Sequence, residues 1–489
     1  MLRRILGGSL VVLVTACTSS PYEPPSSPSE TGYTANGTPS ILAVAGAESQ
    51  HFAVGKEISG EWWTLFQSTA LNEILDHAVA GNRNLASAKA TLAAAHDAVA
   101  VAAGGLYPHI DFAASALRQR NNYQAVGFTG FPPKEFNVFS LGPSVSYTFS
   151  FAGLVPKEVE RLEALEAVQK SEVEGAYLTL TGSVVTEAIT IASIRAQIKA
   201  IEDIIADDQN TLQLVRNELT AGAGTEIDVQ TATSQLAGDR TQLPPLRQQL
   251  NVAQHAMAVL LGRAPAAWTP PDFNLDSFVL PVELPVSLPT SLVHQRPDIL
   301  GAEGQLHAAS AAIGVANAQL YPNITLSANI GQQFLSPTAI FDEASNIWSF
   351  GVNVAAPIFH GGSLEAQKSA AMNTYEAVLA SYQQTVLTSF AQVADLLDAL
   401  AHDSEMLAAQ QAASQSAEAA LKLSRTSYQL GNTNLLQVLD TQRLAQQARL
   451  GLARAQSQRY LDSAQLFVAM GGGWWNHPPV QSDSPPPKS

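Results

Sequence analysis

Apolar residues along this 489-residue chain recur with two different periods. Over residues 156–220 they fall at alternating steps of three and four: Tyr177, Leu180, Val184, Ile191, Ile194, Ile198, Ile201, Ile205, Leu212, Val215 and Leu219. Glu187 and Asp208 are the two polar interruptions of that seam. A seam sustained this long predicts coiled-coil packing rather than an ordinary globular helix. Some 65 residues at 1.5 Å each would span roughly 100 Å. A comparable stripe over 362–430 runs through Tyr375, Val378, Tyr382, Val386, Phe390, Val393, Leu397 and Leu400. Each run meets a glycine, Gly222 or Gly431, then a polar turn and another helical stretch. Glycine there suits a helix C-cap. Two long helical hairpins are expected, over 156–262 and 362–470.

Between the helical runs the period falls to two. Val145, Tyr147, Phe149 and Phe151 alternate with Ser144, Ser146, Thr148 and Ser150. Ile324, Leu326, Ala328 and Ile330 alternate with Thr325, Ser327 and Asn329, and Trp348, Phe350, Val352 and Val354 with Ser349, Gly351 and Asn353. Ile110, Phe112, Ala114 and Ala116 make a weaker fourth case. Strands are expected at about 107–118, 139–151, 321–331 and 348–359. Their length and apolar/polar alternation suit transmembrane β-strands. A soluble half-buried sheet alternates in the same way, but here the polar face is small and nearly uncharged. Residues 119–138 and 332–347 would be outer-surface loops. Four strands cannot close a barrel, and an open edge in lipid leaves backbone groups unpaired. Copies of the chain must then pool their strands.

The body is duplicated. Leu106-Tyr107-Pro108 returns as Leu320-Tyr321-Pro322, and Gly153, Gly222 and Gly262 return as Gly362, Gly431 and Gly471 at one constant offset. The halves are residues 61–262 and 296–470, joined by a Pro-rich connector at 263–295. Residues 17–60 read as a tether and 471–489 as a disordered Pro-rich tail.

Charged residues are only 14%, against about 25% in typical soluble domains. That suits surfaces covered by other copies or by lipid. A net charge of −16 argues against nucleic acid. An acidic wall would favour cations in any duct it lines, although plain solubility explains the charge equally well. The ten histidines show no metal-ligand spacing, and the glycine clusters precede no Lys-Ser/Thr of a phosphate loop. No cofactor or metal is expected.

The single cysteine, Cys17, follows Arg3, Arg4, a short apolar run and Val14-Thr15-Ala16. Residues 1–16 read as a secretory signal. Small residues ending at a cysteine resemble a bacterial lipobox, which makes Cys17 the lipidated mature N-terminus. A chance cysteine near an ordinary cleavage site is the alternative.

Several motifs in one order resemble the TolC/OprM outer-membrane efflux factors, in particular their NodT-like lipoprotein branch. They are Trp62-Trp63, Asn84-Leu85, the two Leu-Tyr-Pro steps, Arg296-Pro297-Asp298-Ile299 with Ala302-Glu303, residues 356–362, and Leu439-Asp440-Thr441-Gln442-Arg443. The resemblance implies a homotrimer in the outer-membrane lipid. Its 12-stranded β-barrel would continue into an α-helical barrel in the periplasm, with a periplasmic adaptor and an inner-membrane pump as partners. It places the periplasmic entrance and adaptor contact at Gly222, Thr225, Glu226, Asp228, Gly431, Asn432, Thr433, Asn434, Asp440 and Arg443. Family members often carry an aspartate in the second turn, where this chain has none; Glu226 and Asp228 in the first turn are the substitutes.

Arg296, Pro297, Asp298 and Glu303 read as structural, with Pro297 in a first helical turn and Asp298 complementing the helix dipole. Asp440 and Arg443 read as a surface pair, with a gating role as the alternative. The expected function is a passive export duct for small molecules. The competing reading is a non-channel envelope lipoprotein acting as coiled-coil scaffold or adaptor. No nucleophile or acid/base constellation suggests an enzyme.

Overall fold

The computed structural model describes residues 22–26, 28–29, 32–34, 41–42, 50–122, 127, 130 and 132–476. The signal segment and Cys17 lie outside the described residues. The chain divides into two compact units.

Among the described residues, the first unit draws on 22–25, 91–169 and 301–382. Its centre is an antiparallel sheet of β3 (His109–Asn121), β4 (Lys134–Ser150), β6 (Asn323–Phe334) and β7 (Asn346–Ala355), in the order β3-β4-β6-β7. The pairing keeps like with like. Ile110 faces Val145, Val145 faces Ala328, and Ala328 faces Phe350. Tyr147 pairs with Leu326, and Leu326 with Val352. Residues alternate faces along a strand, so this register gathers the apolar set on one face. Ser144, Ser146, Thr148, Thr325, Ser327, Asn329 and Asn353 lie on the other. In the same unit, helix α7 (Pro297–Ala318) runs close to the start of helix α3 (Leu154–Thr220). A Cβ at Gly304 would come within 2.8 Å of Val168, and His307 pairs with Glu160 at 3.2 Å.

Among the described residues, the second unit takes those within 26–90, 170–300 and 383–476. Both long helices have 67 residues: α3, and α8 (Ser363–Gln429). Each returns through a short turn. After α8 the return arm is one helix, α9 (Leu435–Ala469). After α3 it is broken into α4 (Glu226–Arg240) and α5 (Leu243–Leu260). Pro244 and Pro245 lack the N–H groups that would bond back to Arg240 and Thr241, and they occupy the first turn of α5 instead.

The core of this unit packs Trp62, Phe66, Leu71 and Leu75 against Val184, Ile189, Ile191, Val393, Leu397 and Phe467. Trp62 stacks on Phe467 with ring centroids 5.2 Å apart, so the tryptophan pair serves packing. α3 contains a window apolar enough to cross a bilayer, 56% buried. Val184, Ala188 and Ile191 are wholly buried in protein, which accounts for that hydropathy.

Two segment expectations change. The tether at 17–60 contains β1 (Ile41–Leu42) and β2 (Gln50–Val54), and β2 runs parallel to β5 (Glu283–Val286) from the connector. Strands of two to five residues are too short to show alternation in sequence. The tail at 471–489 packs as far as residue 476. Trp474 Nε1 donates to Gln295 O at 2.7 Å and Asn476 Nδ2 to Ile58 O at 2.7 Å. Residues 477–489 lie outside the described residues.

Candidate functional site

The two hairpin ends are built alike. α3 stops where Gly222 takes φ +76, and Ala223 N–H reaches back to Glu218 O at 2.8 Å. α8 stops where Gly431 takes φ +73, and Asn432 N–H reaches Ser427 O at 2.8 Å. A left-handed glycine with this back-bond satisfies carbonyls that the helix end would orphan. The following arms are capped at matching positions. Thr225 Oγ1 accepts from Asp228 N at 3.2 Å, and Asp228 Oδ2 accepts from Thr225 N at 3.1 Å. Asn434 Oδ1 accepts from Gln437 N at 3.0 Å. Gly222, Thr225, Asp228, Gly431 and Asn434 therefore fix the turns. Glu226, Asn432 and Asp440 are exposed and Thr433 is half-buried. Arg443 pairs with Asp440 within α9 at 2.9 Å, both about half exposed.

Above the turns the four arms enclose apolar and then polar layers. Leu212, Val215, Val229, Leu236 and Leu435 form the apolar cluster. Tyr428 Oη donates to Glu218 across the arms, and burial together with that carboxylate holds the phenol above its ordinary range. Next come Asp207, paired with Arg425 at 3.3 Å and Arg449 at 3.7 Å, and the buried Asp208 and Asp239.

Arg296 Nε and Nη2 donate to the Asp298 carboxylate at 3.0 and 2.6 Å. Its Nη1 donates to Ala469 O at 2.8 Å, and Nη2 also reaches Gln392 Oε1 at 2.9 Å. The guanidinium thus caps the last turn of α9 while Asp298 accepts from Ile299 N at 3.0 Å in the first turn of α7. Glu303 belongs to the first unit, where its charge acts on Tyr22 and Tyr382. The structure therefore joins Arg296, Pro297 and Asp298, and leaves Glu303 out of that cluster.

The family described as Outer membrane efflux protein matches residues 74–263 and 288–472. The chain belongs to that family. The pyoverdine export outer membrane protein OpmQ of Pseudomonas aeruginosa is 30% identical over 472 residues, 95% of this chain and 96% of that protein. The outer membrane protein OprJ of the same species is 28% identical over 486 residues, 95% of each. The solved outer-membrane channel OprN matches with a TM-score of 0.85 at 25% identity, over 94% of this chain and 99% of that one. The efflux protein is thus an outer-membrane channel component of an efflux or export system, built of long helical hairpins and one four-stranded antiparallel sheet per chain. The two matched stretches each contain one hairpin and one strand pair.

What the sequence reading missed is the polar layer. Asp208 shows as a break in the seam, but Asp239, Gln442 and Gln446 meet it from other arms and leave no local signal.

Proposed function

We propose that the efflux protein is one subunit of a homotrimeric passive duct for small molecules, with no enzymatic step of its own. One observation carries this: the sheet register gathers Ile110, Val145, Tyr147, Leu326, Phe350 and Val352 on one face, while β3 and β7 remain edge strands. In lipid those edges must be paired. Two copies give eight strands, whose interior side chains fill. Three give twelve and leave a lumen, lined by serine, threonine and asparagine. Such a wall carries little charge and suits mixed solutes. OpmQ is named for pyoverdine export, and a small organic cargo of that kind fits the same wall.

The hairpin ends, with Glu226, Asn432, Thr433, Asp440 and Arg443 outermost, form the periplasmic entrance and the surface met by a periplasmic adaptor, which links the duct to an inner-membrane pump. Lipid on Cys17 anchors the N-terminus in the outer membrane.

Purified protein in planar bilayers tests the duct. Stable conductance steps from a species of three chains by native mass spectrometry are expected. Protein that inserts as a trimer yet never conducts would favour the scaffold reading instead.

A further inference from the structure

Asp208 is 2% exposed and Asp239 5%, and Gln442 and Gln446, one turn apart on α9, hold one each. Two buried carboxylates at one level of the bundle offer each other no donor while both are ionised, so the arrangement favours a proton on one of them. The surroundings decide which. Asp239 accepts from three amides, Gln235 Nε2 at 2.7 Å, Gln242 Nε2 at 2.9 Å and Gln446 Nε2 at 3.1 Å. Asp208 accepts only from Gln442 Nε2, at Oδ1, and its buried Oδ2 has no donor among the described residues. Donors stabilise the ionised form, and Asp208 Oδ2 has none, so the proton sits on Asp208 Oδ2.

The charged groups facing this pair come from three arms. Asp207 lies beside it on α3, Asp239 is on α4, and Arg425 on α8. α9 presents the neutral amides of Gln442 and Gln446, and its Arg449 turns to Asp207 and Glu418. Both nearby cations, Arg425 and Arg449, are therefore already engaged by Asp207.

We infer that the Asp208–Asp239 carboxyl pair is a proton-held latch between the two arms of the first helical hairpin, where the amides of α9 meet it, closed while Asp208 is protonated and loosened at alkaline pH. Burial, with Asp239 and Asp207 adding to it, pushes Asp208 up to about 8. The stability this contributes is full below the ordinary value of 3.8 and is lost progressively as pH rises to about 8. Above it two negative charges stand side by side across α3 and α4, beneath Gln442 and Gln446 of α9. The inference concerns the hairpin arms alone and stands apart from the duct reading.

Hydrogen–deuterium exchange on the full-length protein in detergent, corrected for intrinsic pH dependence, tests the latch. Peptides covering 205–240 and 435–447 are expected to exchange at least about threefold faster at pH about 10 than at pH about 6. Asp208→Asn, which copies the protonated acid, removes that step. Asp239→Asn removes the neighbouring charge and moves the step toward acid. A wild type without the step, or a step that Asp208→Asn leaves in place, overturns the latch. If Asp208→Asn fails to fold, the shift in Asp239→Asn decides: an unmoved step overturns the inference. Asp403 and Asp462, a second carboxyl pair facing Arg459, serve as the internal reference, and peptides around them change equally in wild type and Asp208→Asn.

Discussion

The two compact units place their apolar residues in opposite environments. In the second, Val184, Ile189, Ile191, Val393 and Leu397 are fully enclosed by protein. In the first, Trp348, Phe350, Val352 and Val354 are 79, 67, 57 and 62% exposed in a single subunit. Both obey the same rule, that side chains of one chemistry share one face, at helical period in one unit and at strand period in the other. The helical face finds its partner within the chain. A strand face this apolar and this exposed is matched to a surrounding other than water. The difference separates what a subunit completes alone from what it completes only in a membrane among copies of itself.

The sharpest way to break that comparison is to charge the apolar strand face. An arginine near the bilayer midplane costs about 2–4 kcal/mol on a barrel's lipid face. Phe350→Arg with Val352→Arg is expected to abolish the oligomer recovered from outer membranes on native gels. Asn353→Arg, on the opposite face, is expected to leave it intact. Equal loss from both faces would erase the distinction between them.

A smaller effect sharpens the helical side. Arg296 is nearly buried, whereas the Asp298 side chain is 48% exposed. Asp298→Ala strands a guanidinium and is expected to cost about 3 kcal/mol. Arg296→Ala leaves a carboxylate that water can reach, and costs less. Denaturant unfolding followed by helical circular dichroism reads the order, and a reversed order would contradict the burial asymmetry.

The smallest effects belong to the hairpin ends. Thr225→Ala and Asn434→Ala each remove a cap worth about 1 kcal/mol. Amide exchange in the first turns of α4 and α9 should accelerate accordingly. Arg443→Ala breaks an exposed pair worth a few tenths of a kcal/mol, roughly 0.3, and should leave the same amides unchanged.

These features were unequally visible in the sequence. The α3 seam, the four strands and the paired turns are local patterns, and Gly222 with Gly431 announces both C-caps. The capping box at Thr225 and Asp228 is equally local. The break at Pro244-Pro245 is a proline pair that the second half lacks, with Ala453-Arg454 at the corresponding positions. β2 pairs with β5 across more than two hundred residues, and no short-range pattern encodes that. The same holds for Arg296 and the carbonyl of Ala469, and for Asp208 with Asp239 and Gln442. Each partner alone reads as an ordinary polar residue on a helix.

The account rests above all on which face of the sheet meets lipid. Single cysteines at Ser349 and Phe350, neighbours on β7 with opposite orientation, can be probed in intact outer membranes with a membrane-impermeant maleimide. Labelling of Ser349→Cys with protection of Phe350→Cys is the predicted result. Equal labelling of both positions would place the sheet in water and contradict the account.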